Sequence, residues 1–190
     1  MRTIDLKHSD SLKTASKIFL EGGIVIFPTD TVYGIGCLLD EKAIKKLYQI
    51  KNRPFSQPTA VLFSEKIFSK IRTCENKRII NKIIKKYPMG KVTIIANLNN
   101  FKIKFPKILL KNNKIGFRIP SDQYLEKLID KTGPIVASSA NKAGEETPKS
   151  FAELDCKLLN EVDLVIKTNK VSSKSPSTVY DLEEDKIIRN

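Results

Sequence analysis

The chain has 190 residues, with 34 Lys and Arg against 21 Asp and Glu, for a formal net charge of +13. A chain of this length buries roughly 70% of its unfolded surface and forms a core without disulfides. Its 41% hydrophobic and 29% charged residues exclude a wholly disordered chain, a collagen and a membrane bundle.

The elements alternate along the chain. Ser9 or Asp10 caps an expected helix through Phe19–Glu21, ended by Gly22 and Gly23. Ile24–Phe27 is β-branched, apolar and halted by Pro28, which predicts a buried strand. Asp40 fits the N-cap of a helix over Glu41–Ile50, whose Ala43, Ile44, Leu47, Tyr48 and Ile50 make one apolar face. Thr59–Phe63 predicts a strand, Glu75–Tyr87 a basic amphipathic helix and Val92–Ala96 a further strand. After the Lys- and Asn-rich loop Asn97–Lys114 comes a strand at Ile115–Ile119, and Ser121 then caps a helix over Asp122–Lys131. A short strand at Ile135–Ala137, a helix over Phe151–Leu159 and a strand at Leu164–Ile166 follow. Lys170–Pro176 predicts a loop, and Thr178–Leu182 with Lys186–Arg189 a closing pair. Such mixed order predicts an α/β fold: a twisted open mixed sheet with flanking helices, one domain over residues 1–190, soluble and cytoplasmic. Met1–His8 carries no secretory signal, and no apolar run approaches the roughly 20 residues of a spanning helix.

Several chemistries are excluded early. Cys37, Cys74 and Cys156 are odd in number and none has metal-ligand spacing. His8 is the one histidine, which leaves little for a Ser-His-Asp triad, a Cys-His dyad or a multi-histidine metal site. The cations are 28 Lys and 6 Arg, a bias that solvated surface explains as well as anionic ligands do. Neither a P-loop nor a G-x-G-x-x-G turn is present, so a bound nucleotide would rely on side-chain cations and hydroxyls.

Three clusters offer them. Pro28-Thr29-Asp30-Thr31-Val32-Tyr33-Gly34-Ile35-Gly36 follows a buried strand, where open α/β sheets place ligands; a turn satisfied by its own Thr and Asp is the plainer alternative. Lys51-Asn52-Arg53-Pro54 ends a helix, where cations complement the dipole or grip a polyphosphate. Ser138-Ser139-Ala140-Asn141 ends a strand, as a cap or as donors to phosphate and ribose. Ser177-Thr178-Val179-Tyr180-Asp181 opens the last strand pair, and Arg189 stands next to the last residue.

Taken in order, and with Arg118-Ile119-Pro120 between them, these motifs resemble the YrdC-like (TsaC) family, the threonylcarbamoyl-AMP synthases, over about Ile18 to Arg189. The resemblance implies an open α/β sheet around a positively charged cavity, as in the YrdC/RibB-like fold. It implies a nucleotidyltransferase that condenses L-threonine, bicarbonate or CO2 and ATP to threonylcarbamoyl-AMP and pyrophosphate. The product serves modification of adenosine 37 in tRNA through a downstream threonylcarbamoyltransferase complex. Carried over by position, Lys51 and Arg53 are the catalytic candidates. They also bind ATP, with Ser139 and Asn141 and, on less regular loop lengths, Gln57, Lys114, Thr147 and Arg189. Thr31, Arg118 and Ser177 match threonine-side positions. Mg2+ is expected with ATP, held by phosphates and water, with no metal ligands from the protein.

The chain departs from the family pattern at Pro88-Met89-Gly90-Lys91-Val92-Thr93, where a Trp-Pro-Gly-Pro-x-Thr segment is usual. Its length fits the short, single-domain form. The competing expectations are an RNA-binding module of the same fold and a carbamoyl-adenylate enzyme with a different acceptor.

Overall fold

In the computed structural model, which describes residues 2–73, 81, 83, 85–88, 90–169 and 175–189, ten strands of the described residues make one mixed sheet. They are β1 (Thr3–Asp5), β2 (Val25–Pro28), β3 (Tyr33–Leu38), β4 (Ala60–Leu62), β5 (Val92–Asn97), β6 (Lys114–Arg118), β7 (Ile135–Ser139), β8 (Leu164–Lys167), β9 (Thr178–Asp181) and β10 (Lys186–Arg189). Their order is β1-β8-β2-β3-β7-β4-β6-β5-β9-β10. β1 and β2 flank β8 in parallel, β4 pairs with β6 and β5 with β9 in parallel, and the remaining neighbours are antiparallel. The helices are α1 (Ser11–Leu20), α2 (Glu41–Ile50), α3 (Glu65–Ile71), α4 (Gln123–Thr132) and α5 (Cys156–Asn160). No helix of the described residues is long and apolar enough to cross a membrane.

Alternation along the strands gives the sheet two different faces. Ile24, Ile26, Ile35, Val61, Val136, Phe117 and Ile94 point to one face and pack with α2 and with the ring cluster of Phe63, Phe68, Phe101 and Phe105. Val25, Phe27, Leu62, Ile135, Leu164 and Ile166 point to the other, under Phe19 of α1 and Leu125, Leu128 and Ile129 of α4. The second face is covered by helices only in part. Where α1 and α4 end, it is left open.

Capping explains most helix starts. Asp40 is extended and accepts from the Ala43 N–H at 2.9 Å, as the sequence predicts, a cap contributing about 1 kcal/mol. α4 is capped by Asp122, which accepts from Leu125 N–H at 3.0 Å, and not by Ser121. Ser121 is engaged by Asp30 instead. The expected helix over Phe151–Leu159 is two pieces, a 3-10 turn at Phe151–Glu153 and then α5, because Asp155 turns extended and caps a new start at Lys157 and Leu158.

Three elements exceed the sequence reading: β1, β3 and α3. α3 begins at Ser64, whose hydroxyl accepts from the Ile67 N–H. β3 lies in the stretch that reads as a turn, and the turn is only Thr29–Val32, tied by Thr29 Oγ1 to Thr31, to the Val32 N–H and to the Val32 carbonyl. Gly36 lets β3 lie close on β7: a Cβ there would stand 2.6 Å from the Val136 carbonyl oxygen. Of the expected basic helix over Glu75–Tyr87, residues 81, 83, 85 and 86 are helical and most of the rest lie outside the described residues, as do residues 170–174 of the predicted loop.

Candidate active site

The open part of the sheet is a cavity of about 810 Å³, within the range of small-molecule sites. Its floor follows from register. Ala137, Ala60 and Gly116 stand side by side on β7, β4 and β6 and line the cavity, and a row with almost no side chain leaves room above it. Gly116 has only ordinary contacts around its missing Cβ, at 3.6 Å to Ala60 and 3.7 Å to Thr93. A second row, displaced by two residues, carries Leu62, Arg118, Thr93, Val179 and Arg189 on β4, β6, β5, β9 and β10. The described lining carries Arg53, Lys111, Lys114, Arg118, Lys186 and Arg189 against two carboxylates, Asp181 and Glu184.

Arg118 is buried at the end of β6. Its Nη1 donates to Thr31 Oγ1 at 3.0 Å and its Nη2 to Asp30 Oδ2 at 3.2 Å. Burial lowers its pKa and the Asp30 charge opposes that shift. Beside it, the hydroxyls of Thr93 and Ser177 share a hydrogen bond of 2.8 Å, and the Ser177 carbonyl accepts from Arg189 Nη2 at 2.9 Å. Burial, then the charge of Arg53, pushes Arg189 below the usual guanidinium value, so two cations face one space.

The loop after α2 is organised by Arg53, which donates from Nε to the Gln57 carbonyl at 2.8 Å and from Nη2 to the Pro58 carbonyl at 3.1 Å. Its guanidinium lies 5.9 Å from the centre of the Tyr48 ring, which also stacks on Phe55. Lys51 is 2% exposed. Its Nζ donates to the carbonyls of Ser139, at 2.5 Å, and Asn141, and Ala143 N–H returns a bond to the Lys51 carbonyl. Burial, and then the nearby Arg53, lowers the Lys51 ammonium to about 7 against a weaker opposite pull from Glu145.

The sequence candidates are thus brought to one region but in different roles. Thr31, Arg53, Lys114, Arg118, Ser139, Ser177 and Arg189 line the cavity. Lys51, Gln57, Asn141 and Thr147 are not among the lining residues. Lys51 holds the β7 end from behind; Gln57 contributes its carbonyl to Arg53 and Tyr48. The Asn141 amide nitrogen is held by the Lys142 and Glu145 carbonyls, while its Oδ1 is buried with no hydrogen-bond partner among the described residues. Lys114 differs from a free phosphate-binding cation: Asp181 takes its ammonium at 2.9 Å, with Glu183 at 3.4 Å and Glu184 at 3.6 Å. The hydrogen bond to Asp181 raises its pKa. Among the described residues, no group of three or more His, Cys, Asp or Glu could hold a metal ion. Asp30 stands in the first of the three sequence clusters and Gly90 in the segment that departs from the family pattern, and neither is among the site residues expected from the sequence.

The Sua5/YciO/YrdC family model, described as "Telomere recombination", matches residues 17–190. A Methanocaldococcus jannaschii protein, provisionally named threonylcarbamoyl-AMP synthase, is 38% identical over 93% of this chain and 83% of its own length. The chain belongs to the Sua5/YciO/YrdC family. Within that family, E. coli YciO superposes with a TM-score of 0.82 at 25% identity, over 100% of this chain and 93% of that one. Pyrococcus abyssi Sua5, solved in complex with L-threonine, superposes with a TM-score of 0.80 at 25% identity over 96% of this chain. The chain spans only 54% of that Sua5.

Proposed function

We propose that the protein is a threonylcarbamoyl-AMP synthase, condensing L-threonine, bicarbonate or CO2 and ATP to threonylcarbamoyl-AMP and pyrophosphate. The observation that carries this reading is one cavity whose wall holds a buried guanidinium with Thr31, Thr93 and Ser177 beside it, and also Arg53 and Ser139 at another part of the same wall. The names of the relatives support the same chemistry, as does the threonine held by the Pyrococcus abyssi protein.

In this reading Arg118 receives the threonine carboxylate, with the Thr31 and Ser177 hydroxyls around the amino acid. The neutral threonine amine attacks CO2 and loses a proton, giving a carbamate. A carbamate oxygen then attacks the α-phosphorus of ATP in line, and pyrophosphate leaves. The protein supplies position and charge in this step. Arg53 and Arg189 face the triphosphate, and the excess of cations on the lining makes the cavity attractive to it. The hydroxyl and backbone of Ser139 bind the nucleotide in a loop that Lys51 holds in shape. Lys51, Gln57, Asn141 and Thr147 act on ATP from outside that lining. Mg2+ bound to the triphosphate, held by phosphates and water, would supply counter-charge for the leaving group. The activated group passes to a downstream threonylcarbamoyltransferase acting on tRNA.

The test is mass spectrometry of the products from ATP, L-threonine and labelled bicarbonate, with pyrophosphate release measured in parallel. Labelled threonylcarbamoyl-AMP, and pyrophosphate release that needs all three substrates, are expected. Pyrophosphate release indifferent to threonine, or a labelled adenylate with another acceptor, overturns the proposal.

A further inference from the structure

One charged side chain at the site has no part in the reading above. The Asp30 side chain is only 6% exposed, and it is not on the cavity lining, although its neighbours Thr29 and Thr31 are. Its Oδ2 accepts from Arg118 Nη2 at 3.2 Å. Its Oδ1 accepts from the Ser121 N–H at 3.0 Å and from the Ser121 hydroxyl. Three connections meet there: the turn between β2 and β3, the link from β6 to α4, and the segment before β5.

The third connection explains a glycine. Gly90 has φ +79, and a Cβ on it would stand 2.4 Å from Asp30 Cγ and 2.6 and 2.7 Å from the two carboxylate oxygens. No rotation of a neighbouring tip relieves that, because the short Asp30 side chain is fixed at both oxygens. Gly90 therefore seats the carboxylate.

Arg118 is held in consequence at two of its three nitrogens, Nη2 by Asp30 and Nη1 by Thr31, while Nε has no hydrogen-bond partner among the described residues. A guanidinium binds a carboxylate well only when its planar fork is presented in the right orientation. A buried arginine cannot shed its charge, so without a partner it turns toward whatever acceptor or solvent it can reach.

We propose that Asp30 is a positioning residue for the amino-acid carboxylate: it fixes the plane of Arg118 and compensates its charge while the cavity is empty, with Gly90 as the seat that keeps Asp30 in place. This rests on the synthase reading, in which Arg118 receives that carboxylate. Asp30 acts through Arg118 and touches no substrate.

The experiment is titration calorimetry of L-threonine and, separately, of ATP with the folded wild type and with Asp30→Ala, Asp30→Asn and Gly90→Ala, folding being checked by near-UV circular dichroism. Asp30→Ala is expected to weaken L-threonine binding about ten-fold or more, the scale of a hydrogen bond to a charged group, with ATP affinity within about two-fold. Asp30→Asn keeps the packing and an acceptor and falls between Ala and wild type. Gly90→Ala, which removes no polar atom, shifts threonine affinity in the same direction. In an Arg118→Ala background the Asp30→Ala change is expected to add little. Unchanged threonine affinity in both Asp30 variants, or an equal loss for ATP and threonine, overturns the inference. A wild type that binds threonine but makes no labelled adenylate sinks the synthase reading alone, and the Asp30 comparison still stands; a wild type that does not bind threonine sinks both.

Discussion

Two cations are buried at this site, Arg118 in its wall and Lys51 behind it, and they are accommodated in different ways. Arg118 has a carboxylate, Asp30, at 3.2 Å. Lys51 has no carboxylate in direct contact among the described residues, and its Nζ rests on two backbone carbonyls. The chemistry of the side chains explains the difference. A guanidinium stays charged at any working pH, so burying it requires a counter-charge. An amine can release its proton when burial becomes too costly, and Lys51 is pushed down to about 7. One end of the site is thus a fixed ion pair, the other a cation that can be switched off.

Breaking the fixed pair has the largest expected effect. Arg118→Ala leaves the Asp30 carboxylate buried with only Ser121 to serve it, and is expected to cost about 3–5 kcal/mol of stability, read from urea unfolding. The double variant with Asp30→Ala is expected to recover part of that loss. A cost below about 1 kcal/mol for Arg118→Ala would mean that the pair behaves as an exposed one.

At the other end, Lys51→Met keeps the volume and removes both bonds to the β7 end. Two carbonyls lose a donor, about 1–3 kcal/mol, offset by no longer burying an amine. Net stability therefore changes by less than in Arg118→Ala, while pyrophosphate release drops about a hundred-fold or more because Ser139 and Asn141 lose their anchor. Near-normal release would show that the anchor is dispensable.

The same contrast marks what could be seen in the sequence. α2 and its Asp40 cap, β2 and the closing pair β9–β10 are local, built from adjacent residues whose propensities agree. β1 was not visible because its pairing partner, β8, is distant in the chain, and β3 because the stretch from Pro28 to Gly36 also reads as a turn satisfied by its own Thr and Asp until β7 is laid against it. At the site, Arg53 and Ser139 could be picked out as residue types that hold anions, whereas Arg118 and Ser177 came only through the family resemblance. Asp30 could not, because its meaning depends on Ser121, which lies 91 positions away. Nor could the inward turn of Lys51 onto Ser139 and Asn141, since a lysine at the end of a helix is ordinarily a solvated cation.

The switchable end makes a prediction for pH. Lys51 titrates near 7 when folded and near 10.5 when unfolded. Between these values the unfolded chain binds a proton that the folded chain does not, so this residue makes stability rise with pH from about 7 toward 10. Below about 7 both states are protonated, and the penalty of charging the buried amine is fully present and constant. Other lysines and tyrosines also titrate in that window, so the quantity to measure is the difference between wild type and Lys51→Met. That difference is expected to carry the upward slope, by a few kcal/mol at most. A flat difference would place an intact ammonium on the two carbonyls across the whole range.

The smallest effect is the sharpest check on which charge Lys51 feels. Glu145 favours the charged amine from a distance, while its own carboxylate accepts from the Lys142 N–H. Glu145→Gln keeps an acceptor for that N–H and removes only the charge. The Lys51 inflection is then expected to fall further, by much less than burial has already lowered it, because an exposed charge acts only weakly on a neighbour. Because Glu145 is exposed, the shift should shrink at high salt, whereas the depression caused by burial should not. An inflection that stays put in Glu145→Gln yet moves with salt in wild type would point to Arg53 as the only charge that Lys51 senses.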